Sequence, residues 1–309
     1  MSATYELIII GAGPAGLTAG IYAKRAGLDV LVIEDPSLPS QALSATQIEN
    51  YPGFPQGISG RELIERFRKQ AEGIGVEFKK GKVYNLTLLS SQRWEVESEE
   101  GKARGIALII ASGAHPKELG VKGERELKGK GVSYCAICDG NFFREQEIVV
   151  VGGGNSALEA SLFLSKIVKK IVLVHRRDEL RGVKVLQKRV FANRKISVCW
   201  NSIVEEILGE DRVKGVRVFN LRSGEKQIIP CAGVFIQVGS VPNTEFVKDV
   251  VERDKEGYII TDEKMCASRE GIFASGDCRS TALRQVITAC GDGALAVVSA
   301  QQYIHQQRS

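Results

Sequence analysis

Two glycine loops set 141 positions apart in a single register constrain this chain more than any other feature. Gly11, Gly13 and Gly16 of the run LIIIGAGPAG fall on Gly152, Gly154 and Ala157 of IVVVGGGNSA, and the same shift carries Glu34 onto His175. Each loop follows an apolar run that reads as a strand and precedes a helical stretch. The first copy predicts a strand at 7–10, a helix towards Ala26 and a second strand, VLVIE, ending at Glu34. The second predicts a helix around 158–168 and the strand IVLVHRR. A strand, a glycine turn and a helix N-terminus together form a dinucleotide-binding unit, because the glycines allow the tight turn and the close approach of a pyrophosphate. A lone loop of this kind is weak; two in register, each with the right flanks, are not. A further pair, ALIIASGAHP and GVFIQVGSVP, aligns Gly113 with Gly239 and Pro116 with Pro242 at a displacement of 126, as if closing each unit. The fold class expected is α/β with two Rossmann-like units, which suits 309 residues at about 100 to 200 per domain.

Composition narrows the classes further. A balance of 42 basic and 37 acidic residues gives +5, without the dense Lys/Arg block of a nucleic-acid or membrane arm. No stretch reaches the roughly 18 apolar residues of a membrane span. The start MSATYELIIIGAG lacks a basic leader region and a small-residue cleavage site, so a cytoplasmic protein is expected.

The two loops are expected to take different dinucleotides. In the first, residues Gly11, Gly13, Pro14, Ala15 and Gly16 would seat a pyrophosphate on the helix N-terminus. Glu34, 18 residues beyond Gly16, would accept hydrogen bonds from the ribose hydroxyls of an adenosine. This is the natural place for FAD; the alternative is an exposed terminal acid. In the second, Gly152, Gly154, Asn155, Ser156 and Ala157 form the loop, and the acid is replaced by His175, Arg176 and Arg177, with Arg181 further on. Guanidinium groups pair with phosphate oxygens, so this site should prefer NADPH over NADH; the alternative is a solvated basic helix start.

The chain has seven cysteines, of which Cys199, Cys231, Cys266, Cys278 and Cys290 are scattered without paired spacing and read as reduced packing residues. Cys135 and Cys138 form C-x-x-C just ahead of the second unit, a spacing that can close a small disulfide ring and that favours the thiolate at a helix N-terminus. Asp139 follows directly and could act as general acid, since reducing a disulfide consumes protons as well as electrons. Half of a zinc site is the alternative, although no second C-x-x-C or H-x-x-H accompanies it.

Together GAGPAG, IENYPGFP at 48–55, SYCAICDG at 133–140, GGGNSA with HRRDELR, and GIFASGDCR followed by RQVITACGDGA resemble the low-molecular-weight thioredoxin reductase family, over residues 5 to 304. The resemblance implies an FAD domain made of residues 1–115 and 246–309, with the NADPH domain, 116–245, inserted between them. It implies flavin contacts from Gln41, Thr46 and Asn50, from Gly276 and Asp277, and from Arg284, Gln285 and Val286. It also implies Cys138 as the sulfur nearer the flavin, Cys135 as the one that attacks the partner, Asp139 as the acid, thioredoxin as that partner, and a homodimer. Because one site cannot serve nicotinamide and thioredoxin together, hinges are expected near 113–117 and 239–244. One departure stands out: Pro39 and Ser40 precede Gln41 where the family usually has two glycines, leaving less backbone freedom.

The rival functions are a flavin-dependent dithiol oxidase, a ferredoxin-linked disulfide reductase and a reductase subunit for a peroxidase. A non-catalytic nucleotide sensor is the rival from another class. Intact GGGNSA and HRRDELR speak against the first two, the early first strand against the third, and retention of C-x-x-C with its Asp against the last.

Overall fold

Short runs with no polar interruption, such as Leu7 to Ile10 or Val149 to Val151, can be stable only where both faces of a strand are covered. The computed structural model, which describes residues 3–45, 47–89 and 93–308, covers them by placing each run at the centre of a parallel sheet. Thr46 lies outside the described residues. The chain divides into two units, one made of Met1–His115 with Val241–Ser309 and the other of Pro116–Ser240.

In the first unit the strand Ala3–Ile10 sits between Val30–Glu34 and Gly101–Ile110, with Glu77–Lys80 beyond Val30–Glu34. The long strand Gly101–Ile110 has two partners on its far side. Its first half pairs antiparallel with Trp94–Ser98, while Leu108, Ile109 and Ile110 pair parallel with Ile272, Phe273 and Ala274. Alternate residues then face opposite ways. Leu7, Ile9, Val30, Val32, Ala107 and Ile109 pack on one side with the helices Pro14–Arg25 and Val286–Arg308, and Ile8, Ile10, Leu31, Ile33, Leu108 and Ile110 pack on the other. Each of these Leu, Ile and Val side chains stabilises by roughly 1.5–3 kcal/mol on full burial.

The second unit repeats the plan. Five parallel strands run in the order Ile196–Cys199, Lys170–Val174, Glu147–Gly152, Gly233–Gln237 and Val132–Ser133. A three-stranded antiparallel sheet from Ser202–Gly209, Val213–Asn220 and Lys226–Pro230 is added to it. The two displacements in the sequence reappear as strand pairs: Ile10 pairs with Ile110, and Val151, 141 positions on, pairs with Ile236, 126 positions on.

Local differences from expectation have simple causes. The helix after the second glycine loop is Asn155–Leu164, capped at Ser165, so Val168 lies in the link to the next strand rather than in the helix. The strand Lys170–Val174 ends before His175, because His175 turns back to place Nε2 2.9 Å from the carbonyl of Glu179. Residues 241–245 belong with the first unit, where Asn243 N donates to Gly113 O and Asn243 Nδ2 to Ser112 O. Among the described residues no helix is long and apolar enough to cross a membrane.

Candidate functional site

The two glycine loops are built alike, down to the reason each glycine is there. Gly11 has φ +115°, and a Cβ on it would lie 2.2 Å from the carbonyl oxygen of Ala111. Gly152, at φ +151°, would meet the carbonyl oxygen of Gln237 at 2.4 Å. Neither position tolerates a side chain. Gly16 brings the helix against the loop, since a Cβ there would sit 1.8 Å from Gly11 O. The middle glycines differ in kind: a Cβ on Gly13 would meet Ser40 Oγ at 3.4 Å, and one on Gly154 nothing within 4 Å. Gly13 and Gly154 are the extended N-caps of Pro14–Arg25 and Asn155–Leu164, and no side chain caps either helix. Each helix N-terminus therefore presents donors and a positive dipole end that no side chain caps, as a pyrophosphate requires.

Around the first loop the polar groups lie at the carboxyl ends of the strands. Glu34 ends its strand, and its Oε2 accepts from Arg68 Nη1 at 2.8 Å, with the guanidinium lying 3.6 Å over the Phe78 ring. Asn50 Nδ2 donates to Gln285 Oε1 at 2.9 Å, and Gln41 Nε2 donates to Ala114 O. Val286 begins the terminal helix and packs on the cluster of Ile48, Ile58 and Leu63. Asp277, in the turn Gly276–Cys278, has a carboxyl that burial pushes up to about 6, opposed by Arg284 and assisted by Asp292. Asp292 Oδ2 accepts from Gly276 N and from Arg279 Nη1, each at 3.1 Å, which fixes that turn. Ser275 Oγ and Arg284 Nε are buried without a hydrogen-bond partner among the described residues. Such orphaned groups cost free energy unless a ligand meets them. With the uncapped helix N-terminus at Gly13 and the Glu34 carboxylate, they fit a flavin dinucleotide.

Ser40 adopts φ −53° and ψ 134° and opens the short turn Gln41–Ser44, a conformation with no need of glycine. Serine at position 40 is therefore free of backbone strain and sets a hydroxyl opposite Gly13.

Around the second loop, His175 differs from its neighbours. It is 5% exposed, and a Cβ on Gly153 would lie 2.2 Å from its ring, so the imidazole fills the space under the loop. Burial lowers its pKa, against the hydrogen bonds it makes to the backbone of Glu179 and Gly152, with Arg181 and Arg177 adding to the lowering. Its work is to hold the turn that displays Arg176, Arg177 and Arg181, all exposed. Among the described residues those three arginines have no ion-pair partner, because Asp178 is taken by Arg222. Asn155 Oδ1 accepts from Val183 N at 2.8 Å, and Arg181 N donates to Gly153 O at 2.7 Å, tying the arginine turn to the glycine loop. Ser156 and Ala157 complete the first turn of the helix. A cluster of free guanidinium groups beside an open helix N-terminus fits a dinucleotide bearing an extra phosphate.

Cys135 and Cys138 are joined as a disulfide, with Cα atoms 5.3 Å apart. With the sulfurs bonded to each other, neither is a thiolate that could ligate zinc. The pair follows the strand Val132–Ser133 and opens the single turn Ala136–Asp139, in which Cys135 Sγ accepts from Cys138 N at 3.2 Å. Asp139 is pushed up by burial, against a lowering hydrogen bond from Ser133. Ser133 Oγ donates to Asp139 Oδ2 at 2.6 Å.

Three residues here carry no mark in the sequence. Ser133 anchors Asp139. Glu124, 1% exposed, accepts from the N–H groups of Leu119, Gly120 and Val121 and from the Tyr134 hydroxyl at 2.7 Å, fixing the residue that precedes Cys135. Arg68 orients Glu34. The other cysteines lie apart from the redox turn: Cys199, Cys231, Cys266, Cys278 and Cys290 are unbonded, and burial raises the Cys278 thiol to about 11.

A pyridine nucleotide-disulphide oxidoreductase family model matches residues 5–293. The chain is 44% identical over 304 residues to the thioredoxin reductase of Listeria monocytogenes, covering 98% of this chain and 94% of that one. It is 43% identical to the thioredoxin reductase of Bacillus subtilis, covering 98% and 95%. Among solved structures it is similar to thioredoxin reductase from Streptococcus pyogenes, with TM-score 0.92 and 44% identity over 99% of this chain and 100% of that one.

Proposed function

The chain belongs to the pyridine nucleotide-disulphide oxidoreductase family and, within it, to the thioredoxin reductases, and from that premise we propose how its residues divide the work of passing electrons from NADPH to oxidised thioredoxin. The observation that carries the reading is a formed disulfide beside a half-buried acid, at the strand end of one dinucleotide unit, in a chain that has a second such unit.

The unit Met1–His115 with Val241–Ser309 binds FAD through Gly11, Gly13, Pro14, Ala15, Gly16, Glu34 and the polar groups of Gln41, Asn50, Asp277, Arg284 and Gln285. The unit Pro116–Ser240 binds NADPH through the Gly152 to Ala157 loop, with Arg176, Arg177 and Arg181 on the 2′-phosphate and His175 supporting them from below. When bound, FAD supplies the two-electron chemistry that links the nicotinamide to the disulfide. Opening the Cys135–Cys138 bond consumes two electrons and two protons, and Asp139, whose pKa burial raises, delivers one of the protons. Cys135 then gives up its proton and attacks the thioredoxin disulfide, forming a mixed disulfide and releasing a thioredoxin thiolate that takes up a proton. Cys138 displaces the reduced partner and restores the intramolecular bond. The crossings between the units, at 115–116 and 240–241, serve as hinges.

The free arginines favour NADPH as donor over the ferredoxin-linked and oxygen-linked alternatives, which need no 2′-phosphate site. A homodimer is supported by the exposed apolar stripe Ile287, Leu295 and Val298 on the terminal helix. Five unbonded cysteines suit the reducing cytoplasm.

Anaerobic titration of the purified protein tests the whole route. NADPH should bleach its flavin absorbance, raise the thiol count by two per chain, and then reduce added thioredoxin. In Cys138→Ser the bleaching should persist while thioredoxin turnover falls at least about a thousandfold, the scale of losing a covalent nucleophile. Turnover retained by that variant overturns the reading, and sedimentation settles the dimer.

A further inference from the structure

Ser133 stands two residues ahead of the first redox cysteine, and no step assigned above uses it. It is 4% exposed, at the end of the strand Val132–Ser133. Its hydroxyl makes three contacts: it accepts from Cys135 N at 3.0 Å, and Cys135 O at 3.2 Å and Asp139 Oδ2 at 2.6 Å both lie within its donor reach. A hydroxyl has one proton to give and two lone pairs with which to accept. It cannot donate to the Cys135 carbonyl and the Asp139 carboxylate together.

We infer that Ser133 is a positioning residue whose hydroxyl proton changes acceptor with the protonation state of Asp139, coupling the acid to the backbone of Cys135. With Asp139 ionised, Ser133 donates to Oδ2 and the Cys135 carbonyl loses this donor. With Asp139 protonated, the carboxyl donates to Ser133 Oγ, which accepts it beside the Cys135 N–H and passes its own proton to Cys135 O. Every donor is used in both states, so the exchange leaves no buried group orphaned. The inference deepens the proposed function, and rests on it for Asp139 acting as the acid in disulfide reduction.

The surroundings leave Asp139 few other influences. Burial raises its pKa, and the Ser133 hydrogen bond is the one contribution in the opposite direction. The helix Asn155–Leu164 packs against the redox turn and has Glu159 as its one titratable side chain, which is exposed to solvent. The turn Gly140–Phe143 and the strand Gly233–Gln237 have none. Tyr134 is engaged by Glu124, and Cys135 and Cys138 are bonded to each other.

The test is a carboxyl titration of the oxidised holoenzyme by 13C NMR with labelled aspartate, the Asp139 resonance being assigned by its loss in Asp139→Asn. Ser133→Ala should raise the Asp139 midpoint by about one pH unit, equivalent to about 1.4 kcal/mol, and Ser133→Thr, which keeps the hydroxyl, should return it to within a few tenths of a unit of wild type. In the wild-type protein the labelled carbonyl of Cys135 should titrate with the same midpoint, a readout that needs no variant to fold. Equal Asp139 midpoints in wild type and Ser133→Ala, or a Cys135 carbonyl that does not titrate, overturn the inference. Thioredoxin turnover unchanged in Asp139→Asn would instead remove Asp139 from its acid role, and would leave the coupling to be decided by the NMR midpoints.

Discussion

The two dinucleotide units each have a sheet whose first five strands follow the same order, and they differ in what stands at the end of the fifth. In the first, the strand Ile272–Ala274 leads into Gly276 and Asp277; in the second, Val132–Ser133 leads into Cys135, Cys138 and Asp139. Both strands lie next but one to the strand that carries the glycine loop, and both point the same way as it, so each delivers its residues to the carboxyl-end edge where that loop lies. Each also ends beside an acid that burial pushes up. The lesson is that a duplicated scaffold offers equivalent positions for different chemistry: a lone acid in one copy, a disulfide followed by an acid in the other. The chain connections show that the likeness is one of place only. The fifth strand of the first unit arrives late in the sequence, whereas that of the second precedes its own first strand.

The most forceful way to break the comparison is at the shared glycine. Gly11→Ala places a Cβ 2.2 Å from Ala111 O at φ +115°, which a residue with a side chain rarely adopts. We expect a loss of roughly 3–5 kcal/mol in unfolding free energy and protein purified without flavin. A variant as stable as wild type in denaturant titration would mean that the loop relaxes freely and that its geometry matters less than argued.

The next effect, smaller and opposite in sign, concerns the first of the two acids. The Asp277 carboxyl stands at about 6 against an ordinary 3.8, a difference of 6 − 3.8 or about 2 units, on the order of 3 kcal/mol. Because the folded value is raised, the native state binds this proton more tightly than the unfolded chain does. The group therefore costs nothing well below pH 3.8, its cost grows between 3.8 and 6, and it is complete above 6. Asp277→Asn should then stabilise the apoprotein by up to that amount at pH 7, have little effect near pH 3.5, and bind FAD more weakly. Thermal melts of apoprotein at both pH values check it; destabilisation at pH 7 would show that the carboxylate is paired rather than stranded.

How much of this was legible in the sequence depends on whether a residue announces itself by pattern or by packing. The register of Gly11 on Gly152 and of Ala111 on Gln237 was readable, because strand, turn and helix impose the same spacing on both copies and the pairing of Ile10 with Ile110 and Val151 with Ile236 follows from it. The redox pair was readable from its spacing. The shift pairs His175 with Glu34, but the packing of His175 was not legible, since it depends on Gly153 leaving room for an imidazole ring beneath the loop. Glu124 sits among charged neighbours in GERELKGKG, where nothing local separates a buried acid from exposed ones; only the folding of 119–121 around it makes the difference. Arg68 reaches Glu34 from a helix 34 positions away. Such contacts are set by tertiary structure, and periodicity has no access to them.

The arginine turn sharpens the contrast between acid-ended and base-ended units. Replacing Arg176, Arg177 and Arg181 together by Ala should lower the ratio of kcat/KM for NADPH over NADH by about a hundredfold, or about 2.7 kcal/mol, which is modest for two or three charge-assisted hydrogen bonds. The change should fall on the KM for NADPH and leave flavin content alone, because these side chains are exposed and hold no other part of the fold together. A ratio that does not move would place the extra phosphate elsewhere.

The smallest effect is the most discriminating, since it separates the glycines that serve the fold from those that serve the ligand. Gly154→Ala adds a Cβ that meets nothing within 4 Å, at a φ of −90° open to any residue. Glycine ranks above alanine at an N-cap, so the change should cost somewhat under about 1 kcal/mol and lower the melting temperature by no more than about 3 °C. The methyl group nonetheless projects into the space a pyrophosphate must enter to reach the helix N-terminus, and the KM for NADPH should rise about tenfold, close to 1.4 kcal/mol. Ala157 already shows that the third position of this loop accepts a methyl where the first unit has Gly16, so a loss confined to the second position ties that position to the cofactor. Unchanged KM in a stable Gly154→Ala protein would mean that the nucleotide does not pass over this loop, and would undo the equivalence of the two units at the point where it matters for function.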